Sequence, residues 1–325
     1  MNKKIRQINN VFIFLVYLFL FFSCILRLLL VNPNNFNYYR SINTYFASVR
    51  LNGLRIIMTS KNIVSDTVKL TYQDGIAVIS LNRPKQLNSF NEEMHNALST
   101  ILDEVVANDQ ARAIIITGEG KGFCAGQDLG NRDPRKQTYD LGKTITEFYN
   151  PLMKRLKNLG KPTIAVVNGV AAGAGIGIAL ACDIVLCSDK AKFVMAFGKI
   201  GLVPDSGLTW ILVQLVGLAR AKALVLTNAN LSAEQALGYG LVWKIYESDR
   251  LMNEAVKLAT TLAHGPALGT ALTIKALNQA TKNSLEEQLE LEANYQQKAG
   301  YSDDYKEGVT AFLEKRPAIF YKGKN

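Results

Sequence analysis

Histidine is nearly absent from this chain: its 325 residues hold two, His95 and His264. Cysteine is scarce too, with four at positions 24, 124, 182 and 187 and no CxxC pair. That is too little for a metal cluster or a disulfide scaffold, and it fits a reducing compartment. Proline numbers only 8, while 48% of residues are hydrophobic and 20% charged. Disorder and collagen-like structure are thereby excluded. Acid is missing in two places. No Asp or Glu precedes Asp66, and no Glu lies between Glu147 and Glu234.

The first gap explains the net charge of +10. Eight basic residues precede Asp66, from Lys3 to Lys61, so the body carries 37 − 8 = 29 basic against 27 acidic residues, or +2. A near-neutral body has no electrostatic footprint for nucleic acid. Residues 1–57 form a leader of different character. Lys3, Lys4 and Arg6 precede the apolar run from Val11 to Leu26, which Arg27 ends. Its sixteen uncharged residues fall short of the roughly 20 that span a bilayer. Three readings are open: a signal or anchor segment, an organelle transit segment, or upstream sequence before a true start at Met58. The expected location is the cytoplasm, with a mitochondrial matrix as alternative. No stable membrane insertion of the body is expected.

The body alternates strand and helix. Val68–Tyr72 and Ile76–Leu81 flank Asp74-Gly75, a hairpin signal. Asn91–Val106 has helical spacing, with Met94, Leu98, Ile101, Leu102 and Val105 on one face. Ala113–Thr117, Pro162–Asn168 and Asp183–Ser188 read as buried strands. Phe193–Phe197 reads as a short strand. Thr144–Leu159 is predicted helical up to Gly160, and Gly207–Val216 is predicted helical as well. From Ser232 onward the pattern is nearly all helical, over 232–238, 251–264, 269–280 and 284–299. The class is α/β with an appended helical region.

Two small-residue turns follow buried strands: Gly122–Leu129 and Asn168–Gly175. Small residues let backbone approach a ligand, and free N–H groups at a helix start bind negative charge. Two such turns can aim two N–H groups at one oxygen, an oxyanion hole. Close helix–sheet packing and a dinucleotide loop are the alternatives. Gly173-x-Gly175-x-Gly177 falls short of GxGxxG because position 178 is Ile. Cys124 has no His nearby in sequence and reads as a small buried residue.

At these strings the chain resembles the enoyl-CoA hydratase/isomerase (crotonase) superfamily. The resemblance runs over about residues 66–322. It is carried by Asn82-Arg83-Pro84, Leu87–Met94, Phe123–Leu129, Phe148–Leu152, Val167–Gly175, Lys192–Phe197, Gly201–Trp210, Leu231–Ala236 and Tyr305–Leu313. It implies a crotonase-like spiral of ββα units over 62–260, then a C-terminal helical trimerisation region over 261–322. It also implies an acyl-CoA substrate, no separate cofactor because CoA is part of the substrate, and a homotrimer or hexamer. The backbone donors would be Gln127 and Ala174, flanked by Gly173 and Gly175. Ala125, Gly126, Asp128 and Leu129 would line the thioester channel, with Lys85 and Asn88 near the adenosine. The donors being backbone groups, loss of the Gln127 side chain is expected to be nearly silent, whereas Pro at 127 or 174 deletes an N–H.

The acid/base residue decides which reaction such a cradle runs. Family hydratases carry two Glu, and the matching positions here are Gly177 and Phe197. Among the three acids between 148 and 233, Asp183 and Asp189 read as structural. Asp205, in Leu202-Val203-Pro204-Asp205-Ser206-Gly207, is either a helix N-cap or, by the resemblance, the single catalytic carboxylate. One carboxylate suits an isomerase acting on ring-epoxide phenylacetyl-CoA or on unsaturated acyl-CoA. Other crotonase chemistry, hydratase-like or dehalogenase-like, and a non-catalytic binding protein are the alternatives. The subgroup has Gly-Gly where this chain has Gly207-Leu208, so Leu208 is expected to narrow the acyl pocket.

Overall fold

A computed structural model describes residues 65–130 and 132–321, together with a strand pair, Arg50–Leu51 with Leu54–Arg55. The chain divides into two units, Met1–Lys61 and Asn62–Asn325. Apart from that strand pair, the leader lies outside the described residues.

Strands β1 (Val68–Gln73) and β2 (Ile76–Leu81) form the expected hairpin. Asp74 and Gly75 both have positive φ, 43° and 79°, as a tight two-residue turn requires. Helix α1 (Glu92–Ala107) begins where Asn91 accepts the Met94 N–H on its side chain. The chain then repeats one unit. A strand enters a large sheet, a short strand enters a smaller one, and a helix follows. The pairs are β3 (Ala113–Gly118) with β4 (Gly122–Cys124), β5 (Thr163–Val167) with β6 (Val170–Ala172), and β7 (Ile184–Ser188) with β8 (Lys192–Val194). Their helices are α2 (Asn150–Leu156), α3 (Ala174–Ala181) and α4 (Leu208–Leu226). β9 (Asn230–Ser232), α5 (Ala233–Gly238) and β10 (Lys244–Tyr246) close the spiral. The large sheet runs β10-β7-β5-β3-β2-β1 and the small one β9-β8-β6-β4.

Alternation along the strands sorts the core into two layers. Ala113, Ile115, Ile164, Val166 and Leu186 face one way and pack on Leu251, Ala255, Ala259 and Ala263 of α6 (Leu251–Ala263). Ile114, Ile116, Ala165 and Val167 face the other way, in a cluster with α1, α3 and the small sheet. Every residue of β3 and β5 is buried, as expected for strands covered on both faces.

Four elements depart from the sequence reading. The strand expected over Phe193–Phe197 is Lys192–Val194, and Phe197 instead opens a 3-10 helix, Phe197–Ile200. The helix expected over 144–159 is a turn, Leu141–Thr144, then a π-helix, Ile145–Tyr149, and only then α2. α4 is two helical segments: the first stops at Val216 as expected, because Gly217 at φ 74° and ψ 160° is not helical, and a second, unexpected segment runs on to Leu226. A further helix, α9 (Asp303–Leu313), follows α7 (Ala267–Ala280) and α8 (Leu285–Gly300). Its start is marked by Ser302, whose hydroxyl accepts the Tyr305 N–H.

Candidate active site

β4 and β6 are parallel neighbours, so the chain leaves both at the same end of the small sheet. After β4 come Ala125-Gly126-Gln127; after β6 come Gly173 and then Ala174, the first residue of α3. The two turns interlock through missing side chains. Gly126 has φ 86°, and a β-carbon there would stand 2.8 Å from the Ala172 oxygen and 3.2 Å from the Ala174 nitrogen. A β-carbon at Gly175 would overlap the Cys124 carbonyl oxygen. Gly173 has room, with Phe197 3.8 Å away, but needs glycine for its φ of 52°.

This contact sets the first turn against the Ala174 amide. Phe90 and Gln127 form a parallel bridge in which Phe90 N–H donates to Gly126 O at 2.7 Å and Asp128 N–H donates to Phe90 O at 2.9 Å. Gln127's own N–H lies outside that exchange and has no acceptor among the described residues. Ala174 opens α3, where the first N–H groups lack intrahelical acceptors. The positive end of the α3 dipole lies at this same Ala174 start. The pair is therefore suited to an oxygen that gains negative charge.

Asp205 approaches on the loop before α4. A capping role does not hold: the N-cap is Gly207, which makes no side-chain cap bond. The Leu208 N–H bonds the Asp205 backbone oxygen at 2.9 Å, leaving the carboxylate unspent. Its side-chain partner is the Ser206 hydroxyl, which donates to Oδ1 at 2.8 Å. Burial pushes the Asp205 carboxyl above the usual carboxylate range, and the Ser206 bond pulls it part of the way back. Ser206 itself is held at φ 51°, a left-handed backbone that costs a non-glycine residue on the order of 1 kcal/mol.

Several of the other expected contact residues are tied up in internal bonds. Asn88 is fully buried and its side chain is a knot: it accepts the Arg83 N–H and donates to Glu119 O and Gly122 O. Asp128 pairs with Arg83 at 2.7 Å and accepts the Gly130 N–H. Burial alone would raise its carboxyl, but these partners outweigh burial and hold it below the usual range. Gly175 is buried against Cys124. Leu208 is fully buried in the main core, so it does not stand at an open acyl pocket. Lys85 and Leu129 are exposed, and Ala125 is fixed by its N–H to Leu87 O at 2.9 Å. Burial drives the Cys124 thiol up to about 12, so it is inert at neutral pH. Asp183 bonds Thr163 and Asp189 bonds Ser188 and Ser248, both structural as read.

A family model for enoyl-CoA hydratase/isomerase matches residues 71–323, the whole of this architecture. The chain belongs to the enoyl-CoA hydratase/isomerase family. It is 50% identical over 250 residues to the 1,2-epoxyphenylacetyl-CoA isomerase of Escherichia coli (strain K12), covering 76% of this chain and 95% of that protein. It is 33% identical over 260 residues to the short-chain-enoyl-CoA hydratase of Clostridium acetobutylicum, covering 80% and 99%. A solved enoyl-CoA hydratase/isomerase from Cupriavidus metallidurans CH34 superposes with a TM-score of 0.74 at 32% identity, covering 80% and 98%. The spiral is thus the crotonase fold, and these relatives are enzymes acting on acyl-CoA thioesters as isomerases or hydratases.

Sequence reasoning missed Tyr149 and His95, which lie under the Gln127 turn. His95 sat within the helical spacing, three residues before Leu98 and seven before Leu102. Tyr149 carried a weaker signal, in Pro151 two residues later.

Proposed function

We propose that this protein is a cofactor-free isomerase of acyl-CoA thioesters, converting the 1,2-epoxide of phenylacetyl-CoA to its seven-membered oxepin form and shifting double bonds in related enoyl-CoAs. The observation that carries the reading is Asp205, a half-buried carboxylate on the loop before α4 whose burial raises its pKa. Gly177 and Phe197 occupy the two positions at which the family resemblance puts a hydratase's glutamates. The 50% identity to the Escherichia coli epoxide isomerase supports the same substrate.

In this mechanism the thioester oxygen sits between the Gln127 and Ala174 N–H groups. Asp205 takes a proton from the carbon beside the thioester carbonyl. The electron pair moves onto the oxygen, and the enolate is held by the two donors. Asp205 then returns the proton to a carbon farther along the conjugated chain, which shifts the double bond. On the epoxide, the ring C–C bond that the epoxide oxygen bridges also breaks, its electrons completing the double bonds of the seven-membered ring, and the proton returns to a carbon of that ring. One donor of such a hole contributes roughly 3–4 kcal/mol to the transition state. Ala125, Gly126, Gly173 and Leu129 flank the thioester, and Lys85 offers a cation near the CoA phosphates.

The apolar residues left open on the C-terminal helices, among them Leu277, Leu285, Leu289, Tyr301 and Phe312, support a homotrimer or a hexamer of this chain. The cytoplasm is the proposed location. The test is turnover of the purified chain on the epoxide and on a 3-enoyl-CoA, followed by chromatography of the products. Water addition to a 2-enoyl-CoA with neither isomerisation would overturn the reading in favour of a hydratase.

A further inference from the structure

The π-helix at Ile145–Tyr149 has a sequence cause and a consequence at the site. The Asn150 N–H reaches back five residues to Ile145 O. Pro151 follows at once, and its ring lacks an N–H and crowds the carbonyl four residues back, so the regular ladder cannot pass. Such one-turn widenings re-aim side chains and recur at functional sites. Here the turn delivers Tyr149 to the interior, 1% exposed. Its ring lies 6.2 Å from that of Phe90 and stands edge-on to His95 at 4.5 Å and 88°.

The Tyr149 hydroxyl donates to Gln127 Oε1 at 3.1 Å. Gln127 Nε2 in turn donates to Phe90 O at 2.9 Å, the same oxygen that accepts the Asp128 N–H. Phe90 N–H holds Gly126 O. Gln127 is therefore gripped from both neighbours and through its own side chain, while its N–H has no acceptor among the described residues. Burial, with Cys124 and Asp205 nearby, keeps the Tyr149 proton in place well above the usual phenol range.

We propose that Tyr149 is a positioning residue: acting through the Gln127 carboxamide, it fixes the direction of the Gln127 N–H toward the thioester oxygen. This rests on the reading of Gln127 as an oxyanion donor. It also revises the expectation that the Gln127 side chain is silent.

The test uses the full chain and [1-13C]phenylacetyl-CoA, which carries the thioester but no epoxide. Infrared spectroscopy reads the labelled carbonyl band, which moves to lower frequency as the hole polarises it. In Tyr149→Phe, which keeps the ring, the bound band is expected to move back toward its position in water, with Kd within threefold of wild type. On the epoxide, kcat is expected to fall about tenfold at unchanged KM, the signature of misaimed groups. Gln127→Ala should match it, and the double variant should be no worse than the worse single variant, because both cut one chain of bonds. A wild-type band and kcat in Tyr149→Phe, or additive losses in the double variant, would overturn the proposal. Should Tyr149→Phe fold poorly, the band in Gln127→Ala decides. Because the band needs no turnover, failure of the isomerase reading appears separately, as full activity in Asp205→Asn with the band shift intact.

Discussion

Gly177 lies directly against Ser206: a β-carbon at position 177 would stand 2.7 Å from the Ser206 carbonyl oxygen and 2.9 Å from its β-carbon. The second turn of α3 thus supports the peptide that carries Asp205, and it can do so only without a side chain. A glutamate at 177 and the present Asp205 loop exclude each other. Gly177→Glu is expected to abolish isomerisation without creating hydration of a 2-enoyl-CoA, and to lower Tm. A variant that gained hydratase activity at wild-type stability would refute the packing argument.

Asp205→Asn is expected to lower kcat by roughly 10²–10⁴-fold, the usual worth of a general acid–base group. Calorimetry with phenylacetyl-CoA should find binding largely kept, since the carboxylate is not a binding group for the CoA portion. Wild-type turnover on both the epoxide and an unsaturated acyl-CoA would remove Asp205 from the mechanism.

The pH profile follows from the direction of the Asp205 shift. The base works as a carboxylate, so activity falls as pH drops through its folded pKa, which burial raises. The Ser206 hydroxyl favours the carboxylate, and its removal in Ser206→Ala should move the acid limb of kcat to higher pH. Ser206→Gly, which suits the positive φ, should move it the same way. A limb that stays in place or moves to lower pH contradicts the hydrogen bond's role.

Gly175→Ala forces a β-carbon into the Cys124 carbonyl, so the two turns must part. Stability should fall by roughly 1–3 kcal/mol, and turnover should fall further than the fraction unfolded explains. Denaturant melts beside single-substrate kinetics measure both. Unchanged kinetics in a folded Gly175→Ala protein would show that the interlock does not set the donors.

His95 makes stability depend on pH. Burial, with a contribution from Arg132, lowers its pKa from 6.5 to about 4. The unfolded chain therefore takes up the proton first, and stability present above pH 6.5 is lost as pH falls toward 4. The loss from this group is about 3 kcal/mol. Its Nε2 is buried with no hydrogen-bond partner among the described residues. His95→Phe, which can keep the stacking on Phe90 and Phe148, should flatten that slope in urea melts at pH 7, 5 and 4.

The sequence by itself determined the strand and helix alternation. The β-branched runs at 113–117 and 162–168 can only be buried strands between two layers, and Asn91, Ser284 and their spacing mark helix starts through local hydrogen bonds. It also determined the two glycine turns and the missing glutamates, since both are matters of residue type along the chain. What only the tertiary structure decided is which of these groups are taken up by internal contacts. Asn88, Asp128 and Gly175 belong to the right strings, yet their polar atoms or their lack of a side chain are consumed by partners 2 to 51 positions away. The same holds for Asp205, which is freed from capping because Gly207 takes the N-cap position of α4. Tyr149 meets Gln127 because a proline widens one helical turn and the fold brings Phe90 between them. Contacts of that kind form only when the sheets stack, because their distances are set by packing and not by spacing in the chain.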